Sequence, residues 1–129
     1  MCDLVQVLRM TLVPDARSVA EARRAVFAGL CPRQDERTRE TAVLLTSELV
    51  TNAITYGTPP IELEVDCSDD HELLVRVSDT APGLPHRERP SADDVHGRGL
   101  GITAALSDEW GVEPTPAGKI VWFRLRAHG

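Results

Sequence analysis

The chain has 129 residues, the usual size of one domain around one hydrophobic core. An apolar share of 42% and a charged share of 26% exclude the disordered and fibrous classes. The net charge of -6 argues against nucleic acid as a direct partner, because binders of the phosphate backbone gather Lys and Arg on one face.

In chain order, residues 5–13 alternate loosely and are rich in β-formers, which predicts a strand with one buried face, ended by Pro14. Asp15 is then placed to cap a helix running to about Leu30, with Val19, Ala22, Val26 and Leu30 at helical spacing. Cys31-Pro32 closes it. A second helix is expected from an N-cap near Asp35 through Ala42, Leu45, Leu49, Ala53 and Ile54 to Tyr56, with Gly57 as its C-terminal cap.

Residues 61–67 and 73–78 are short β-rich runs around the turn-forming Ser68-Asp69-Asp70-His71, so they predict an antiparallel hairpin. From Asp79 the chain turns rich in Pro, Gly and charge; a connection this long within a small domain reads as a functional lid, over about residues 80–98. A third, shorter helix is expected over 99–107. Glu109 to Glu113 and Lys119 to Arg126 then form a closing hairpin turned by Pro114-Thr115-Pro116-Ala117-Gly118. The expected fold class is α+β, a single-domain two-layer sandwich whose mostly antiparallel mixed sheet carries its helices on one face.

No apolar run approaches the roughly 18 residues needed to span a bilayer, and Met1-Cys2-Asp3-Leu4 has neither a basic n-region nor a signal core. No membrane partner and a cytoplasmic location are therefore expected. Cys2, Cys31 and Cys67 are odd in number and scattered, so they are expected to be reduced thiols without a metal or disulfide role. His71, His86, His96 and His128 are equally dispersed and read as solvated loop residues.

Three segments carry chemistry. On the second helix Glu48 and Asn52 are four residues apart and share a face. An Asn carbonyl suits magnesium shared with phosphates, and the nearby carboxylate is then free to act as a base; a polar pair on a helix also occurs simply facing water. Asp79-Thr80-Ala81-Pro82-Gly83 follows a strand and presents a carboxylate able to accept from an exocyclic amine, although Asp before Pro-Gly is often only a turn. Gly97-Arg98-Gly99-Leu100-Gly101 precedes a helix, where bare backbone N–H groups can approach a phosphate; flexible hinges look similar. The dinucleotide fingerprint is excluded by Ile102 in place of its last glycine. A P-loop is excluded because Gly111 and Gly118 enclose six residues and Lys119 precedes Ile120.

In combination and order, Ser47 to Ala53, Asp79 to Gly83 and Gly97 to Gly101 resemble the ATPase superfamily of gyrase, histidine kinases and mismatch-repair proteins, over roughly residues 10–126. The short length and the ending Gly118-Lys119-Ile120-Val121-Trp122-Phe123 look most like its anti-sigma-factor serine/threonine kinases. The resemblance implies a Bergerat-type fold, ATP and Mg2+ as cofactors, Glu48 as general base, Asn52 as magnesium ligand and Asp79 as acceptor for the adenine amine. It also implies that Gly83, Gly97, Arg98, Gly99, Leu100 and Gly101 pack against the nucleotide. Ala81 stands where the family's first glycine box has a glycine, which bears on how tightly nucleotide binds. The implied function is a kinase that sequesters a sigma factor and phosphorylates an antagonist protein, and the resemblance also implies a homodimer. The alternatives are a nucleotide-gated partner-binding module without phosphoryl transfer and a histidine-kinase catalytic fragment acting in trans.

Overall fold

In a computed structural model of the chain, the structure describes residues 6–29, 36–67, 72–81 and 106–126. Strand β1 (Gln6–Leu12) is followed by helices α1 (Arg17–Gly29) and α2 (Glu36–Tyr56), the hairpin β2 (Ile61–Cys67) and β3 (Leu73–Asp79), and the hairpin β4 (Glu109–Thr115) and β5 (Gly118–Leu125). One five-stranded sheet has the order β1-β2-β3-β5-β4, and each of its four pairings is antiparallel. The two-layer α+β sandwich is as expected. The expected third helix and the lid fall almost wholly outside the described residues.

Local chemistry explains the element boundaries. Asp15 caps α1: its Oδ1 accepts the Arg17 N–H at 2.8 Å, satisfying one of the donors that a helix start leaves open. The Arg17 guanidinium also pairs with this carboxylate at 2.9 Å and holds Asp15 below its ordinary pKa. At the other end of the helical layer, the Gly57 N–H donates to Ala53 O at 2.8 Å, closing the last turn of α2.

The closing hairpin is tighter than its sequence suggests. β4 runs on through Pro114 and Thr115 and β5 begins at Gly118, so only Pro116 and Ala117 form the turn, where Thr115 Oγ1 accepts the Gly118 N–H at 2.9 Å. Pro114 is tolerated because β4 is an edge strand, where a missing N–H forfeits no ladder bond.

Alternation, strict on β2 and β3, makes the sheet two-faced. Ile61, Leu63 and Val65 on β2, Leu73, Val75 and Val77 on β3, and Phe123 and Leu125 on β5 are buried against the helices. They meet Ala22 and Val26 of α1 and Ala42, Leu45, Leu49, Val50 and Ala53 of α2 in one core. The opposite face is polar: Arg76 on β3 reaches Glu64 at 2.7 Å and Asp66 at 3.3 Å on β2, and Arg9 on β1 reaches Glu64 at 2.8 Å. An antiparallel sheet with one wet side needs only a single helical layer. Among the described residues no helix is long and apolar enough to cross a membrane.

Candidate functional site

The buried ladder on the helix-facing side of the sheet ends in a charge. On β3 the inward positions are Leu73, Val75, Val77 and Asp79, and their partners on β5 are Leu125, Phe123, Val121 and Lys119. Asp79 is 4% exposed, so the alternation that buries three aliphatic residues also buries a carboxylate. Burial of a lone carboxylate is costly, and this one is compensated: Lys119 Nζ lies 3.0 Å from Oδ2 and 3.1 Å from Oδ1, and the Ala81 N–H donates to Oδ1 at 2.7 Å.

The end of α2 closes on the same group. A Cβ built on Gly57 would stand 2.6 Å from Asp79 Cγ and 2.7 Å from Oδ2, so only glycine lets the carboxylate lie this close to the helix terminus. Beside it, the Thr80 N–H donates to Thr58 O at 2.9 Å, and Thr80 Oγ1 donates to Pro59 O at 2.8 Å. These bonds pin the end of β3 to the segment leaving α2. From the other side Gly118 packs on the Asp79 backbone, where a Cβ would come within 2.1 Å of Asp79 O. The carboxylate is thus met by Gly57, by the Ala81 N–H and by one cation, while Gly118 and the Thr80 bonds hold the backbone beside it.

Glu48 and Asn52 both lie on α2, half-buried along one border of its core-facing stripe. With a rise of about 1.5 Å per residue, Asn52 stands about 8 Å and Glu48 about 14 Å up the helix from Gly57. Among the described residues no three His, Cys, Asp or Glu side chains cluster as a metal cage. An Asn amide oxygen such as that of Asn52 is a neutral donor of the kind that would suit magnesium shared with phosphates. Gly83, Gly97, Arg98, Gly99, Leu100 and Gly101 lie outside the described residues.

The profile of the histidine kinase-like ATPase domain matches residues 12–125, nearly the entire chain. The chain belongs to this family. Family membership carries ATP as the ligand of the domain. The signal transduction histidine-protein kinase AfsQ2 of Streptomyces coelicolor is 31% identical to the domain, over 82% of this chain and 21% of that protein. Among solved structures, the RsbU and RsbW domains of Rv1364c from Mycobacterium tuberculosis superpose with a TM-score of 0.72 at 20% identity, covering 94% of this chain and 32% of theirs. The histidine kinase domain of the Erythrobacter litoralis EL346 blue-light activated histidine kinase superposes with a TM-score of 0.55 at 24% identity, over 70% of this chain and 45% of that one. At these identities the superpositions establish a shared fold. The domain spans only about a fifth of the curated relative and about a third of the first structure.

Sequence reasoning singled out Asp79 but missed Lys119, forty positions away, and the part of Gly57 in admitting the carboxylate. One signal was available. Lys119, Val121, Phe123 and Leu125 share a period of two, so a lysine at the first of these positions sits on the apolar face, where an unpaired ammonium is not tolerated.

Proposed function

We propose that this domain binds ATP with its adenine amine on Asp79 and its triphosphate along α2, and acts as an anti-sigma-factor serine/threonine kinase. The observation that carries the reading is the buried Asp79 carboxylate, pressed against the end of the helix that bears Asn52 and Glu48. In this scheme the Asn52 amide oxygen would hold magnesium, which would neutralise charge on the phosphates. Glu48 accepts the proton of a serine or threonine hydroxyl as its oxygen attacks the γ-phosphorus and ADP departs. Phosphoryl transfer of this kind relies on positioning and charge stabilisation, for which these groups suffice. The scheme takes an antagonist protein as phosphoacceptor, a sigma factor as the sequestered partner and a homodimer as the working unit from the resemblance of Ser47 to Ala53, Asp79 to Gly83 and the Gly118 to Phe123 ending to the anti-sigma-factor kinases; the structure containing an RsbW domain shares the fold.

The test is labelled ATP incubated with the domain and a candidate antagonist protein. Acid-stable label on the antagonist, abolished by Glu48→Ala with ATP binding retained, is the expected result. Equal labelling by the variant would eliminate Glu48 as the base, and acid-labile label would point to transfer onto histidine instead. A second reading, in which ATP gates a partner surface without transfer, draws support from Ala81 and from Lys119, which already engages the carboxylate meant for the base. Nucleotide-dependent partner binding with no label transferred would favour it.

A further inference from the structure

Unpaired positive charge gathers on the helical layer of a chain whose net charge is -6. Among the described residues Arg9, Arg17, Arg76, Lys119, Arg124 and Arg126 each form an ion pair. Arg23, Arg24, Arg37 and Arg39 form none there, and all of them stand on α1 or α2. Arg23 and Arg39 line a groove of about 410 Å³ where the two helices meet at the surface. Phe27, Val43 and Leu44 give the groove its apolar walls, with Phe27 55% and Leu44 42% exposed, and Glu40 is its one acid.

Arg39 is poised for a partner. Its guanidinium lies 5.5 Å from the centre of the Phe27 ring, and its Nε is buried with no hydrogen-bond partner. Among the described residues only the ring contact holds it. A turn of the side chain that brings Nε out to an incoming carboxylate converts an unpaired donor into a two-pronged, charge-assisted hydrogen bond.

We propose that this groove docks an acidic amphipathic helix of a partner protein, which seats an apolar side chain on Phe27, Val43 and Leu44 and a carboxylate on Arg39. The walls are helices whose backbone groups are satisfied internally, so no strand can add to them and recognition rests on side chains. Charge sets the sign of the partner, because Arg23 and Arg39 outnumber Glu40. A second copy is disfavoured, since two-fold pairing would set this patch, with both its arginines, against itself. Arg39 and Val43 lie roughly half a turn around α2 from Glu48 and Asn52, so the docked helix sits on the other flank and its binding is independent of a nucleotide there.

The probes are three fluorescein-labelled helical peptides of alanine and leucine, with the leucines along one face and glutamate, glutamine or lysine beside them. Fluorescence anisotropy on the intact chain should show the glutamate peptide binding, the glutamine peptide about tenfold more weakly and the lysine peptide more weakly still. Arg39→Met, which keeps an apolar stem, should bring the glutamate peptide down to the glutamine level and leave the glutamine peptide unchanged. Phe27→Ala should weaken both. Arg24→Met removes the same charge outside the groove and should change neither by more than about twofold. Absence of glutamate-peptide binding, or lysine-peptide binding of equal strength, would overturn the proposal on the unsubstituted protein, with no variant needed. An equal loss in Arg24→Met and Arg39→Met would overturn it too, by showing diffuse attraction. A dimer in sedimentation that Arg39→Met or Phe27→Ala dissociates would give the groove to a second copy and likewise overturn it.

Discussion

Asp79 on β3 and Lys119 on β5 are direct partners across the ladder and form a 3.0 Å ion pair on the buried side of the sheet. Their side chains are 2% and 14% exposed, so neither charge is hydrated as a surface charge would be. Removing one partner strands the other, a loss of about 3–5 kcal/mol for a buried pair. Lys119→Met should cost more than Asp79→Asn, because the lysine stem can carry a stranded ammonium toward water whereas the short carboxylate cannot move. The double variant should be less destabilised than the sum of the single ones. Urea unfolding of all four proteins checks this, and strict additivity would show that the two groups do not interact.

Gly118 packs where a Cβ would meet backbone, 2.1 Å from Asp79 O and 2.5 Å from Thr80 Cα. Strands cannot part without breaking the ladder, so Gly118→Ala is expected to cost about 2–4 kcal/mol. At Gly111, by contrast, the obstruction is the Trp122 indole, at 2.9 Å from its Nε1. A side chain on the wet face can turn aside, so Gly111→Ala is expected to cost under about 1.5 kcal/mol. Thermal melts rank the two, and the reverse order would refute the packing argument.

Acid should weaken the start of α1. The Asp15 carboxylate is held below its ordinary 3.8 chiefly by the side-chain hydrogen bond from Arg17, with the Arg17 N–H adding to it. A group whose folded-state value is depressed contributes stability that is fully present above its unfolded value and is lost as pH falls through the folded one. The difference in stability between the unsubstituted protein and Asp15→Ala should therefore be constant at neutral pH and shrink below about pH 4. A difference that persists unchanged to pH 2 would mean that the carboxylate's charge plays no part in the cap.

ATP at 100 times its dissociation constant should stabilise the fold by about 2.7 kcal/mol, and magnesium should add to the shift. In Asn52→Ala the ATP-dependent part should remain and the magnesium-dependent increment should vanish. Melting curves with ATP, with and without magnesium, measure both parts. An intact increment would remove Asn52 as a metal ligand.

Most of the architecture was legible in the chain itself. The alternation of Ile61 to Cys67 and Leu73 to Asp79, the helical spacing of Ala42, Leu45, Leu49 and Ala53, and the cap at Asp15 are local patterns, and local patterns fix elements and their buried faces. The sequence order of the polar segments around Asn52 and Asp79 likewise identified the family. Where the sequence misled slightly, at Pro114 and Thr115, turn-forming residues outweighed the fact that an edge strand accepts proline.

Only the tertiary structure decided what stands beside Asp79. The placement of β5 between β3 and β4, and a register that sets position 119 opposite position 79, are non-local choices settled by how two hairpins share one core. Sequence periodicity determined that Lys119 would point inward. Strand pairing determined that it would meet a carboxylate there, because a buried ammonium is tolerated only where the fold brings it a counter-charge.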